Sequence, residues 1–191
     1  MKKRAILSII FGTIILFVWN AVSWMALPFH SSVMHTIPDN AMDFEHVKRS
    51  MPETGIYHFP GFPETNTPEA MAALETTLEN GPRITMMAYI NEPTTFFAPS
   101  TFLISLLSNF LTVLLILFIV SKLRVKNLKE MLTVTIVLAV IAALVGDIAT
   151  MNWYLFPFDY TMINILDKII GFMLLGLLFG LYTIRGQVYN E

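Results

Sequence analysis

Asp147, Asp167 and Lys168 lie inside long apolar stretches of the chain. A charge in hydrocarbon is costly, so such residues pair, line a path for protons or cations, or reach for the headgroups. These residue types suit all three chemistries. An Asp147–Lys168 pair satisfies both charges and fixes helix register, with Asp167 held neutral. A relay passes a proton or cation along the carboxylates. Snorkelling takes Lys168 alone out to the membrane surface. Asn20 and Asn109 add amides in two further apolar stretches.

The elements that must position these groups are four apolar spans, Ala5 to Leu27, Ser100 to Ser121, Met131 to Thr150 and Thr161 to Thr183. Each is close to the roughly 20 residues that cross a bilayer. The last two form a hairpin from Glu130 to Arg185. Its link holds Trp153, Tyr154, Phe156, Phe158 and Tyr160 and no Lys or Arg, which suits the interface on the translocated side. Asp147 falls about one turn below the outer end of the third span, and Asp167 and Lys168 roughly 10 Å below the start of the fourth. Asn20 and Asn109 reach similar depth. Together Asn20, Asn109, Asp147, Asp167 and Lys168 make one expected polar layer, the leading site candidate. It reads as a closed hydrogen-bond network, a shallow ligand pocket or part of an ion path.

Helical spacing assigns faces. Ala139, Ala142, Ala143, Gly146 and Ala149 put small residues on one side of the third span, where membrane helices approach closely. Ser8, Gly12, Leu16, Asn20 and Ser23 do the same for the first. Ser105, Ser108, Asn109 and Thr112 form a polar stripe expected to face the bundle. Gly176 and Gly180 make a G-x-x-x-G packing pattern roughly opposite Asp167. It serves either packing within the chain or contact with a second copy or partner.

Composition agrees with a membrane protein. The chain has 191 residues, 55% hydrophobic and only 14% charged. Average soluble chains carry about 25% charge. The net charge of −2 makes no case for nucleic acid, and the absence of cysteine excludes disulfides and thiolate chemistry. Cations set the topology. Lys2, Lys3, Arg4, Lys122, Arg124, Lys126, Lys129 and Arg185 fall on one side, Lys48, Arg49 and Arg83 on the other. This places both termini in the cytoplasm, and the short chain without an N-x-S/T site favours a bacterial inner membrane. A cleaved signal peptide ending at Ala21-Val22-Ser23 is the rival for the first span.

The expected domains are a tip and first span (1–27), an extracytoplasmic α+β domain (28–99), the second span (100–121), a basic cytoplasmic loop (122–130), the hairpin (131–185) and a tail (186–191). Within 28–99, Asp39-Asn40 is read as capping a helix to Ser50, with Met42, Phe44, Val47 and Met51 as apolar contacts. Gly55 to Phe59 and Arg83 to Ile90 read as strands. Thr67-Pro68 starts a helix that Asn80-Gly81-Pro82 stops. Two strands alone leave open edges.

His30, His35, His46 and His58 intersperse with Met25, Met34, Met42 and Met51, a set suited to copper. The spacings are irregular, and His30 and His35 are weak metal candidates only. No cofactor is implied. Neither Walker A, G-x-G-x-x-G, G-x-S-x-G nor H-E-x-x-H occurs. No nucleophile, base and orienter can be assigned, so an enzyme is not expected.

The stretch Ser23-Trp24-Met25-Ala26-Leu27-Pro28-Phe29-His30 resembles an S-W-x-x-L-P-[WF]-H motif that follows the first span of uncharacterised small bacterial inner-membrane proteins. Trp153-Tyr154-Leu155-Phe156-Pro157, Asp167 and Gly176 are similar to their closing helices. The resemblance implies four spans and an outer domain, and no activity.

The expected architecture is a four-helix membrane bundle with one small α+β domain between helices one and two. The expected function is a non-catalytic accessory or scaffolding subunit that meets another membrane protein or a second copy. The alternatives are a small oligomeric transporter or ion conduit, and an extracytoplasmic ligand or metal sensor.

Overall fold

The computed structural model describes residues 2–95 and 97–184. The chain divides into two compact units, one made of Met1–His35 with Phe97–Glu191, the other of Thr36–Phe96.

The first unit is all helical. Helix α1 (Lys2–Ala21) continues into a π-helical turn, Val22–Ala26, and the chain is extended by Leu27. Pro28 explains the stop, since the residue before a proline avoids the helical region. Helix α4 (Pro99–Leu123) opens on a proline and closes at Arg124 in the left-handed region. Helix α5 (Leu128–Ala143) is capped by Asn127. It runs through a π turn, Leu144–Ile148, into the short α6 (Ala149–Tyr154). Helix α7 (Phe158–Phe179) returns antiparallel and ends in a third π turn, Gly180–Ile184.

Four helical stretches are long and apolar enough to cross a membrane: Lys3–Ala26, Pro99–Leu123, Leu128–Tyr154 and Phe158–Tyr182. The chain is a multi-pass membrane protein. Helix α7 packs on α5 and α1, and α4 packs on α1, Val113 of α4 and Leu175 of α7 both approaching Gly12. Leu16, Val113, Ile116, Val120, Met131, Leu175 and Phe179 form the buried core between them. The bundle is narrow, and most apolar side chains of α4 point outwards, as a lipid-facing helix requires.

Two face assignments are corrected. Ala139 and Ala143 are buried, but Gly146 is exposed and nothing lies within 4 Å of where its Cβ would be. The wide turn Leu144–Ile148 adds a residue to the helical repeat and rotates Gly146 off the face. On α4 the buried row is Asn109, Val113, Ile116 and Val120. Ser108 is exposed and Ser105 and Thr112 are half-buried. Ser108 and Thr112 donate to the carbonyls of Ser105 and Ser108, each at 2.9 Å, so these hydroxyls need no helix partner. Within α1, by contrast, Ser8, Gly12, Leu16 and Ser23 are all buried.

The second unit is α+β. After a 3-10 turn at Asp39–Ala41 come α2 (Phe44–Ser50), β1 (Gly55–Phe59), α3 (Pro68–Asn80) and β2 (Ile84–Tyr89). Asp43, not Asp39-Asn40, caps α2, its carboxylate accepting from the His46 N–H at 3.1 Å. Proline at position 38 and the 3-10 turn use up the earlier residues. Thr67 caps α3, with Pro68 in its first turn. The strands pair antiparallel, Ile56 opposite Ala88 and Tyr57 opposite Met87, with an irregularity before Phe59. Thr54 and Asn91 tie the strand ends: the Asn91 N–H donates to Thr54 Oγ1 at 3.0 Å, and its side-chain amide to the Pro52 carbonyl at 2.6 Å. Met42, Val47 and Met51 are half-buried, but Phe44 points outwards at 63% exposure. Helix α2 packs little against either strand, so its first residue has nothing to cover it.

Candidate functional site

The five residues of the expected polar layer fall into three separate groups, and a sixth residue joins them. Lys168, in the second turn-pair of α7, donates to both carboxylate oxygens of Asp147, at 2.8 and 2.7 Å. Asp147 sits in the π turn between α5 and α6. The wide turn directs the carboxylate towards α7 rather than along the α5 face. Asn20 Nδ2 donates to Asn109 Oδ1 at 3.3 Å, joining α1 to α4. Asn109 is buried, and its own Nδ2 has no partner.

Asp167 does not join the Asp147–Lys168 pair. Its Oδ2 lies 3.7 Å from Nε2 of His30, while its Oδ1 is buried without a partner. His30 is 1% exposed, one of the most deeply buried side chains among the described residues. Its Nε2 also lies 3.3 Å from Ser23 Oγ, and its imidazole stacks on the Trp24 indole at 3.8 Å with 10° between planes. Trp19 closes the group from α1, its indole N–H donating to the backbone carbonyl of Asp167 at 3.2 Å.

Local chain geometry builds this cluster. The π turn carries Ser23 and Trp24, and Pro28 bends the chain so that His30 folds back over them. The Leu27 N–H donates to the Val22 carbonyl, five residues earlier, at 3.0 Å. On α7, Gly171 makes room for Trp19: a Cβ there would lie 3.2 Å from Trp19 Cδ1. The Asp167 carbonyl is the helical acceptor for residue 171, so the glycine opens the approach to the carbonyl that Trp19 uses.

Chemically the cluster is a clamp. Ser, His and Asp meet, but Ser23 Oγ and Asp167 Oδ2 both face Nε2, while Nδ1 has no partner. A general-base triad needs the carboxylate on the nitrogen remote from the hydroxyl. This arrangement therefore leaves no orienter for His30 as a base towards Ser23. The metal reading of His30 and His35 also loses its geometry. His30 is enclosed by Trp24, Ser23 and Asp167, His35 is exposed, and no group of three or more His, Asp or Glu fit for a metal occurs among the described residues.

Gly176 and Gly180 pack inside the chain. A Cβ on Gly176 would collide with Thr135 Oγ1 and lie 3.0 Å from Leu132 Cδ2, and one on Gly180 would collide with Leu128. The pattern is the α5–α7 seam and leaves no glycine face for a second copy.

Comparison with protein-family models, curated proteins and solved structures finds no significant match for this chain.

Sequence reasoning missed His30 as the partner of Asp167. The signal was present in its position, seven residues past Ser23 and two past the proline that turns the chain. Buried pairing across 137 residues of sequence leaves no local periodicity to read.

Proposed function

We propose that this protein is a non-catalytic accessory subunit that docks another membrane protein through its Thr36–Phe96 unit, held extracytoplasmically by a clamped four-helix anchor. One observation carries the reading. Among the described residues of Thr36–Phe96 none is buried, and the β1–β2 sheet carries exposed apolar side chains on both faces. Ile56 is 64% exposed and Ile90, just past β2, 58%; past the register shift, Ile84 and its partner Phe59 are 42% and 49% exposed. Nearby Phe62 reaches 77%. Exposed apolar surface of this extent marks an interaction site. Both strands are edges, so backbone pairing is open to a partner as well.

Charge argues for protein over lipid as the occupant. The segment 36–96 holds nine Asp or Glu against Lys48, Arg49 and Arg83. A net −6 surface is repelled by anionic headgroups. The eight-to-three cation bias supports both termini in the cytoplasm, and the short chain without an N-x-S/T site favours a bacterial inner membrane.

The test is site-specific photo-crosslinking in cells from positions 56 and 62. The reading expects one defined membrane-protein adduct, lost when Ile90→Asp breaks the face. Self-adducts alone would make the protein a homo-oligomer instead, and lipid adducts alone would end the docking reading.

A small oligomeric ion conduit is the second reading, favoured by the unpartnered atoms His30 Nδ1 and Asp167 Oδ1. It requires proton or cation flux in reconstituted vesicles that Asp167→Asn abolishes.

A further inference from the structure

The basic loop between α4 and α5 lies beside two grooves that nothing in the clamp or the docking face uses. One groove, of about 590 Å³, is lined by Leu128, Lys129, Leu132, Thr133, Ile136 and Val137. The other, of about 520 Å³, is lined by Leu123, Val125 and Val134 together with the polar Asn127 and Glu130. Lys129 and Thr133 line both. One helical turn apart, these two residues divide an apolar trough from a mixed one at the loop.

The charge at the mouth of these troughs is uncompensated. Lys122, Arg124, Lys126 and Lys129 are all exposed, and among the described residues none of them forms an ion pair. Glu130 is the sole acid in the loop, and it is committed to the helix start. Its Oε2 accepts from the Lys126 N–H and its Oε1 from the Asn127 side chain, both at 2.8 Å. Lys122 leans over the Phe118 ring at 5.4 Å, which holds its ammonium at the helix end.

The geometry points to a binding site for one anionic diacyl phospholipid of the surrounding membrane. The phosphate sits at Lys129 with the loop cations around it, one acyl chain lies in the apolar trough of Leu132, Ile136 and Val137, and the other stays in the bilayer. Thr133 Oγ1 donates to the Lys129 carbonyl at 2.9 Å, so the edge of the trough offers hydrocarbon no unmet donor. An apolar trough under a cluster of cations matches an anionic lipid, whereas an apolar partner helix would leave those cations unpaired. The site is independent of the docking role.

Native mass spectrometry of the full chain, released from nanodiscs of mixed phosphatidylglycerol and phosphatidylcholine, tests this. One phosphatidylglycerol is expected to stay bound per copy under activation that strips phosphatidylcholine. Lys129→Gln, at an exposed position, is expected to cut that preference about fivefold, the weight of one cation near an anionic headgroup. Val137→Trp fills a trough from a side chain that is 50% exposed, and is expected to abolish retention with the charges intact. Retention unchanged by Val137→Trp would overturn the site and leave only diffuse attraction to the loop. Displacement of the lipid by soluble glycerol phosphate would overturn it too, since the headgroup alone would then be the ligand.

Discussion

Lys168 Nζ bridges both carboxylate oxygens of Asp147, joining the fourth membrane helix to the wide turn of the third. The pair is asymmetric. The Asp147 side chain is 15% exposed and that of Lys168 is 37% exposed. Removing the lysine strands a charge that cannot leave, whereas removing the aspartate leaves an ammonium on a flexible stem that can reach the surface. Lys168→Met should therefore cost more than Asp147→Asn, roughly 3 kcal/mol against about 1. Unfolding titrations in mixed micelles would read both. The double variant Asp147→Leu/Lys168→Met should recover most of the loss, because apolar side chains replace a buried pair with little penalty.

Asp167→Asn should destabilise by about 1–3 kcal/mol, the cost of a buried polar group that loses a charged acceptor. The Trp24 emission should shift as the imidazole loosens from the indole. An ordered His30 ring signal that survives the change, with unaltered stability, would remove the clamp from the account.

Gly171→Val places new carbon against Trp19 and should break the indole bond to the Asp167 carbonyl, at about 1–3 kcal/mol. Gly146→Val, with open space around it, should be neutral. Fluorescence of single-tryptophan versions separates the two, since only Gly171→Val should move Trp19.

Gly176→Leu should weaken the α5–α7 seam by about 1–3 kcal/mol or more and leave copy number unchanged, because Thr135 and Leu132 of the same chain fill the space. Sedimentation in density-matched detergent would report copy number beside the unfolding midpoint.

What the sequence made readable follows the strength of its physical signals. Spans of 24 to 27 residues, the Thr67-Pro68 helix start and the paired strands announce themselves by hydropathy, capping and β-propensity. The opposed charges Asp147 and Lys168 could be matched because a short link forces their helices antiparallel. Two things were hidden. The π turns at Val22–Ala26 and Leu144–Ile148 shift the helical phase by one residue without any sequence marker, which is why Gly146 missed its expected face. The His30–Asp167 contact joins segments distant in the chain, so no spacing rule finds it. The exposed sheet surface was masked differently, because alternation assigns Ile56 and Ile90 to a face and does not say whether anything covers it.

The docking claim is tested most directly by native mass spectrometry of the protein extracted in mild detergent from its own membrane. The account predicts a complex with one defined further membrane protein at fixed stoichiometry, absent from the Ile56→Asp/Ile90→Asp variant although that variant keeps the wild-type unfolding midpoint of its helical unit. A wild-type spectrum holding only this chain and lipid would contradict it.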